Sequence, residues 1–179
     1  DLQHVVKNWN YTAKKDGTYQ LDFTVESQGK EGCDVNYSNR DRDPESCYNF
    51  EKNKHALTDA DLKFTSRQIY TIYKDGSIEM QSAIGANRSK VILPRIGYSM
   101  VLPSELNQYD YYGRGPVNNY NDRKTSQFLG IYHTTVTDMY YPYIFPQQTG
   151  NHCDVRWAEI TAPQSGVTLR FQAEKPMDF

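Results

Sequence analysis

Asp16-Gly17-Thr18-Tyr19-Gln20-Leu21-Asp22-Phe23-Thr24-Val25-Glu26 is the stretch that decides the fold. From Thr18 onward apolar and polar residues alternate. Tyr19, Leu21, Phe23 and Val25 fall on one side, and Thr18, Gln20, Asp22, Thr24 and Glu26 on the other. A period of two is strand geometry, because successive side chains leave opposite faces. One apolar and one polar face predict an antiparallel strand covered on one side. Asp16-Gly17 reads as the turn that precedes it.

The same pattern recurs outward from there. Residues 69–74 are a β-rich run, Ile-Tyr-Thr-Ile-Tyr-Lys, followed by Asp75-Gly76 and Ser77-Ile78-Glu79-Met80. That predicts a hairpin with a two-residue turn, since Asp and Gly tolerate the positive φ it needs. Further strands are predicted from Ile96, Tyr98, Met100 and Leu102, closed by Pro103, and from Met139, Tyr141, Tyr143 and Phe145. Two more are read from Cys153, Val155 and Trp157, and from Val167, Leu169, Phe171 and Ala173. Helical periodicity is almost absent; the best candidate is one turn near residues 58–61, with Thr58 as its cap. Six or more short strands with Gly, Pro and Asn punctuation predict a sandwich or barrel, and no βαβ unit.

Composition narrows the function classes. The chain has 179 residues, enough for one domain with a real core. Its formal net charge is -2, so nothing draws it to nucleic acid or anionic lipid. No apolar run approaches the ~20 residues that cross a bilayer. Mean hydropathy is low at -0.81, yet 15 tyrosines argue for a packed interior. Cys33, Cys47 and Cys153 are an odd count without C-x-x-C spacing, which excludes a complete disulfide framework and disfavours structural zinc. Cys33 and Cys47 flank one polar loop, residues 26–56, and are read as free thiols that could pair in an oxidising compartment. That loop's Asp41, Asp43 and Glu45 do not have calcium-loop spacing. The chain starts without Met or a signal-peptide pattern, and its last predicted strand runs straight to Phe179. Both ends read as those of a piece of a longer chain.

Two segments concentrate chemistry. In residues 110–123, Tyr112, Arg114, Asn119, Tyr120, Asp122 and Arg123 crowd one loop behind the sharp turn expected of Gly113, Gly115 and Pro116. Aromatic faces beside planar amide, guanidinium and carboxylate groups suit a pyranose, whose C–H face stacks and whose hydroxyls take forked donors. The other reading is that Asp122 pairs with Arg114 or Arg123 and pins the loop. In residues 140–157, Gln147, Gln148, Asn151 and His152 follow Pro142 and Pro146, and Asp154 and Arg156 share one strand face against Val155 and Trp157. That face is either a polar pocket floor or the outer side of an ordinary strand. No nucleophile motif surrounds His4, His55, His133 or His152. Asp110, Asp122, Asp138, Asp154 and Glu159 cannot be assigned the ~5–5.5 Å separation of a retaining glycosidase pair. His152, Cys153 and Asp154 are disfavoured as metal ligands, because strand neighbours face opposite ways.

The two segments YYGRGPVNNYNDRKTSQFLGIY and DMYYPYIFPQQTGNHCDVRWAEI, with LPRIGYSMVLP upstream, resemble the small-chain domain of bacterial β-galactosidases of glycoside hydrolase family 2. The resemblance covers residues 92–157 and extends more weakly back to about residue 69. It departs at Asn118, where the family usually has Glu. It implies an all-β, antiparallel two-sheet super-sandwich, galactose mutarotase-like and truncated, with residues 1–179 as one domain of a longer enzyme. It implies a parent that hydrolyses terminal β-D-galactosides with retention, using two glutamates in a barrel absent here. No catalytic residue and no metal ligand is carried over, and the family's magnesium and sodium ions belong to other domains. The residues expected to face sugar or pin loops are Arg95, Tyr112, Arg114, Asn119, Asp122, Arg123, Gln147, Asn151 and Arg156. The expected partners are the rest of the parent, its galactoside and a second copy. The expected compartment is cytoplasm or periplasm. A stand-alone carbohydrate-binding module and an aldose 1-epimerase are the alternatives.

Overall fold

The computed structural model describes residues 2–33, 53–89, 93, 95–145 and 147–179. Cys47, Asp41, Asp43, Glu45 and most of the 26–56 loop lie outside them, and so does any pairing of Cys33 with Cys47. The described elements are all strands: β1 (Gln3–Ala13), β2 (Tyr19–Gln28), β3 (Gly32–Cys33), β4 (Lys54–His55), β5 (Lys63–Ile72), β6 (Ile78–Ala86), β7 (Gln108–Gly115), β8 (Phe128–Thr135), β9 (Val155–Thr161) and β10 (Thr168–Met177). They form two compact units, Asp1–Ile96 and Gly97–Phe179, each with an antiparallel four-stranded sheet.

The first unit is a sheet in the order β1-β2-β5-β6. Its register lines up the rows Trp9–Phe23–Gln68–Ser82, Tyr11–Leu21–Tyr70–Met80 and Ala13–Tyr19–Ile72–Ile78. One face is therefore apolar, as the alternation of β2 predicts, and Tyr11 stacks on Tyr19 at 6.0 Å. Both hairpins use the same device. Gly17 N donates to Lys14 O at 3.0 Å and Lys14 N to Thr18 O at 2.8 Å; Gly76 N donates to Tyr73 O at 3.1 Å and Tyr73 N to Ser77 O at 2.9 Å. These are three-residue loops ending in a left-handed glycine, with φ 81° at Gly17 and 86° at Gly76, not two-residue turns. The Asp side chain in each accepts from the amide two residues on, at 2.9 Å in both cases. The turn at residues 58–61 forms without continuing into a helix, and Thr58 Oγ1 accepts from Ala60 N at 3.3 Å.

In the second unit the order is β10-β9-β7-β8. Along β7 burial alternates, with Tyr109, Tyr111, Gly113 and Gly115 inward. Tyr109, Tyr111, Val155 and Ala158 form the core, with Tyr132, Met139, Ile160, Phe171, Met177 and Phe179 packed against it. Gly113 and Gly115 thus lie inside the strand, not in the turn after it. At Gly115 a Cβ would collide with the Tyr111 hydroxyl, so the side-chain-free residue is a packing requirement.

Two expected strands are corrected. Residues 95–103 join no ladder, and Ile96, Tyr98 and Met100 are exposed. Residues 139–145 form a turn and irregular backbone; Pro142 has no amide to donate there. The strand expected from Cys153 starts at Val155, because Asp154 is left-handed with φ 54° and turns the chain just before it.

Candidate functional site

The polar residues of the second unit meet where β7 ends. Period two on β7 sends Tyr109 and Tyr111 to the core and Tyr112 and Arg114 to the opposite face. The chain turns at a cis Gly115–Pro116 bond and buries Asn119 completely. A buried primary amide must have its donors and acceptor satisfied. Asn119 Nδ2 donates to Arg114 O at 2.9 Å and to Val117 O at 3.0 Å, and its Oδ1 accepts from Cys153 N at 2.8 Å. Asn119 N donates to Asn151 O at 2.7 Å, and Asn151 Nδ2 returns a bond to Asn119 O at 2.7 Å. These bonds fasten the loop after β7 to the loop before β9.

His152 is 2% exposed and lies 4.3 Å, ring to ring, from Tyr111. Its Nδ1 donates to Arg114 O at 3.0 Å, and its backbone exchanges bonds with Phe179, 2.9 Å from N to O and 3.0 Å in return. Burial lowers the pKa of the imidazole and keeps it neutral. Cys153 beside it is fully buried, and burial, with the Asp178 carboxylate, pushes its thiol up to about 11. Burial also raises the phenols of Tyr109 and Tyr111 above the ordinary tyrosine value.

Asp154 is the ionic centre. Its carboxylate takes Arg114 Nε and, at 3.3 Å, Lys124 Nζ, and its carbonyl accepts from Arg156 Nη1 at 2.5 Å. The Arg114 hydrogen bond holds its carboxyl below the usual carboxylate range. Arg114 also donates to Gln127 O at 2.9 Å, and Arg156 lies over the Tyr112 ring at 5.2 Å. Farther out, Arg123 sits between the rings of Tyr120 at 4.6 Å and Tyr143 at 5.4 Å. It donates to Asn118 Oδ1 at 3.0 Å and to the Tyr143 hydroxyl at 2.6 Å, while that hydroxyl donates to Asn118 Oδ1 at 2.9 Å.

Of the nine expected residues, Tyr112, Arg114, Asn119, Arg123, Asn151 and Arg156 enter these clusters. Asp122 and Gln147 are exposed on the same loops, and Arg95 is exposed in the first unit. The pairing expected of Asp122 is corrected: Arg114 takes Asp154, 40 residues away, and Arg123 takes neutral Asn118. The sequence reading missed Lys124, Asn118 and Tyr143 as partners and His152 as a core residue. Nothing short-range marks the contacts of Lys124 and Tyr143, whose partners lie 30 and 20 residues away. Among the described residues no three His, Cys, Asp or Glu side chains gather as metal ligands, and no helix is long and apolar enough to cross a membrane.

A family model described as the β-galactosidase small chain matches residues 2–178. The chain is 37% identical over 95 residues to a β-galactosidase of Priestia megaterium, covering 53% of this chain and 9% of the relative. It is 48% identical over 69 residues to the β-galactosidase BgaC of Bifidobacterium adolescentis, covering 38% and 6%. To the β-galactosidase of Kluyveromyces lactis it is 31% identical over 117 residues, covering 65% and 11%. The matched stretch is about a tenth of the length of these relatives, from 6% to 11%.

Proposed function

The chain belongs to the β-galactosidase small-chain family, and on that premise we propose that it is a non-catalytic part of a longer β-galactosidase, where it holds loops and fold rather than performing chemistry. The parent hydrolyses terminal non-reducing β-D-galactose residues with retention, through two carboxyls carried elsewhere in the polypeptide. One observation carries the non-catalytic role: Asp154, His152 and Cys153, the reactive groups gathered between the end of β7 and the start of β9, are already committed within the fold. Asp154, held ionised by Arg114 and Lys124, cannot deliver a proton near neutral pH. His152 is neutral, buried and bonded to a carbonyl, and a thiol pushed to about 11 is no nucleophile near pH 7.

The test is an activity comparison. The purified chain is expected to leave p-nitrophenyl β-D-galactoside intact. Grafted into the Priestia megaterium enzyme in place of its own small-chain region, it is expected to sustain hydrolysis with β-galactose as the first product. Hydrolysis by the isolated chain would overturn the reading.

A further inference from the structure

Residues 140–145, Tyr-Tyr-Pro-Tyr-Ile-Phe, present an apolar surface to solvent. Ile144 is 99% exposed, Phe145 82%, Tyr140 69% and Tyr141 55%. Contiguous exposure of large apolar side chains on a folded loop marks an interaction site. The loop is held from beneath. Tyr143 is tied by Asn118 and Arg123, its amide donates to Tyr141 O at 2.9 Å, and Tyr140 N donates to Thr137 O at 3.2 Å. The surface is therefore preformed, which lowers the entropy cost of docking.

Resting on the reading of the chain as part of a longer β-galactosidase, we propose that this loop docks into an apolar hollow on the remaining polypeptide of that enzyme, with Ile144 and Phe145 as its anchors. The curated relatives supply the occupant, since about nine-tenths of their length lies outside the matched stretch. The chemistry disfavours the other occupants. A sugar is held by forked donors as well as by a stacking ring, and the guanidinium and amide nearest this loop, Arg123 and Asn118, bond each other and the Tyr143 hydroxyl. An anionic membrane needs cations, and residues 140–145 carry none on a chain of net charge -2. Apolar anchors packed into a pocket are the usual energetic centre of a protein interface.

The test reads the accessibility of a thiol introduced by Ile144→Cys, with Cys33→Ser and Cys47→Ser to silence those cysteines; Cys153 is buried. Maleimide labelling is expected to be at least tenfold slower in the Priestia megaterium graft than in the isolated chain. Equal rates overturn the proposal. So does labelling of the isolated chain that slows with its concentration as a dimer appears, which assigns the loop to a second copy. Protection by millimolar galactose overturns it in favour of a sugar. A graft that is protected but inactive leaves the surface standing and removes the proposed function; an active, unprotected graft does the reverse. Should the graft not fold, the chain is titrated in trans onto the Priestia enzyme lacking its small-chain region. There an Ile144→Asp, Phe145→Asp double variant is expected to bind at least tenfold more weakly, and equal binding overturns the proposal.

Discussion

The two units solve the same problem, turning a strand back on itself, in opposite ways. In the first, Lys15-Asp16-Gly17-Thr18 and Lys74-Asp75-Gly76-Ser77 each close a hairpin with bonds spanning four residues or fewer. In the second, the loop after β7 is closed by Asn119 bonding to residues 32 and 34 positions later. Among the described residues the first unit keeps few side chains from water, and Trp9, Tyr11 and Ile78 of its apolar face stay largely exposed. The second buries a tyrosine core and a polar clasp together. Local turn chemistry makes a sheet without much interior. An interior with irregular loops over it needs buried polar groups that satisfy one another over long range.

That contrast can be broken most directly at Asn119. Asn119→Ala leaves the buried Cys153 amide without its acceptor and Val117 O without its donor, while Arg114 O keeps His152 Nδ1, and should cost the second unit about 2 kcal/mol, at about 1–3 kcal/mol per unsatisfied buried group. Urea unfolding followed at Trp157 would show it; a loss under 1 kcal/mol would mean the clasp is redundant. In the first unit the largest single turn effect should be smaller. Gly76→Ala forces a Cβ into the left-handed region, where nothing lies within 4 Å to clash, so only the backbone cost of about 1 kcal/mol is expected. Tyr109→Phe should go the other way. The Tyr109 hydroxyl is buried without a partner among the described residues, and its removal should raise the melting temperature, with stabilisation of about 1 kcal/mol.

Acid sharpens the comparison further. The carboxyl of Asp154 has a folded pKa below its ordinary value of 3.8. Its contribution is therefore fully present above the unfolded value and is lost as pH falls through the lower folded one. Asp154→Asn should flatten that acid limb in the second unit while leaving the melting curve of the first unchanged; an unaltered limb would assign the acid sensitivity to other carboxylates. The smallest effect is expected at Asn118. Asn118→Glu would give Arg123 an ionic partner at the surface, worth about 0.5 kcal/mol at low salt and less at high salt. Gain that persists in 1 M salt would contradict a charge origin.

How far the sequence could be read follows from the same contrast. β2 and the β5–β6 hairpin were legible because their alternation is unbroken and their turns carry Asp-Gly. β1 was not, because the bulge between Val6 and Asn8 puts Val6 and Trp9 on one face three residues apart. β8 was not either: Phe128 and Tyr132 lie on one face and Leu129 and Ile131 on the other, so no polar face remains to mark it. Residues 96–102 and 139–145 alternate convincingly yet join no ladder, since alternation describes the faces of a segment and says nothing about a partner. The site divided in the same way. The two segments were picked out by residue type, and Asn119, Arg114 and Arg123 belong to the first of them. The choice of Asp154 over Asp122 as Arg114's partner depends on a fold that closes a 40-residue gap, which no local signal encodes.

One consequence concerns light rather than stability. The chain has two tryptophans, Trp9 in the first unit and Trp157 in the second. Trp9 is 64% exposed and should emit at the long wavelengths of a hydrated indole. Trp157 is half-buried beneath the Arg170 guanidinium, 4.7 Å from its ring, and should emit farther to the blue. A single emission spectrum recorded along a denaturant series therefore contains two separable colours, one for each sheet.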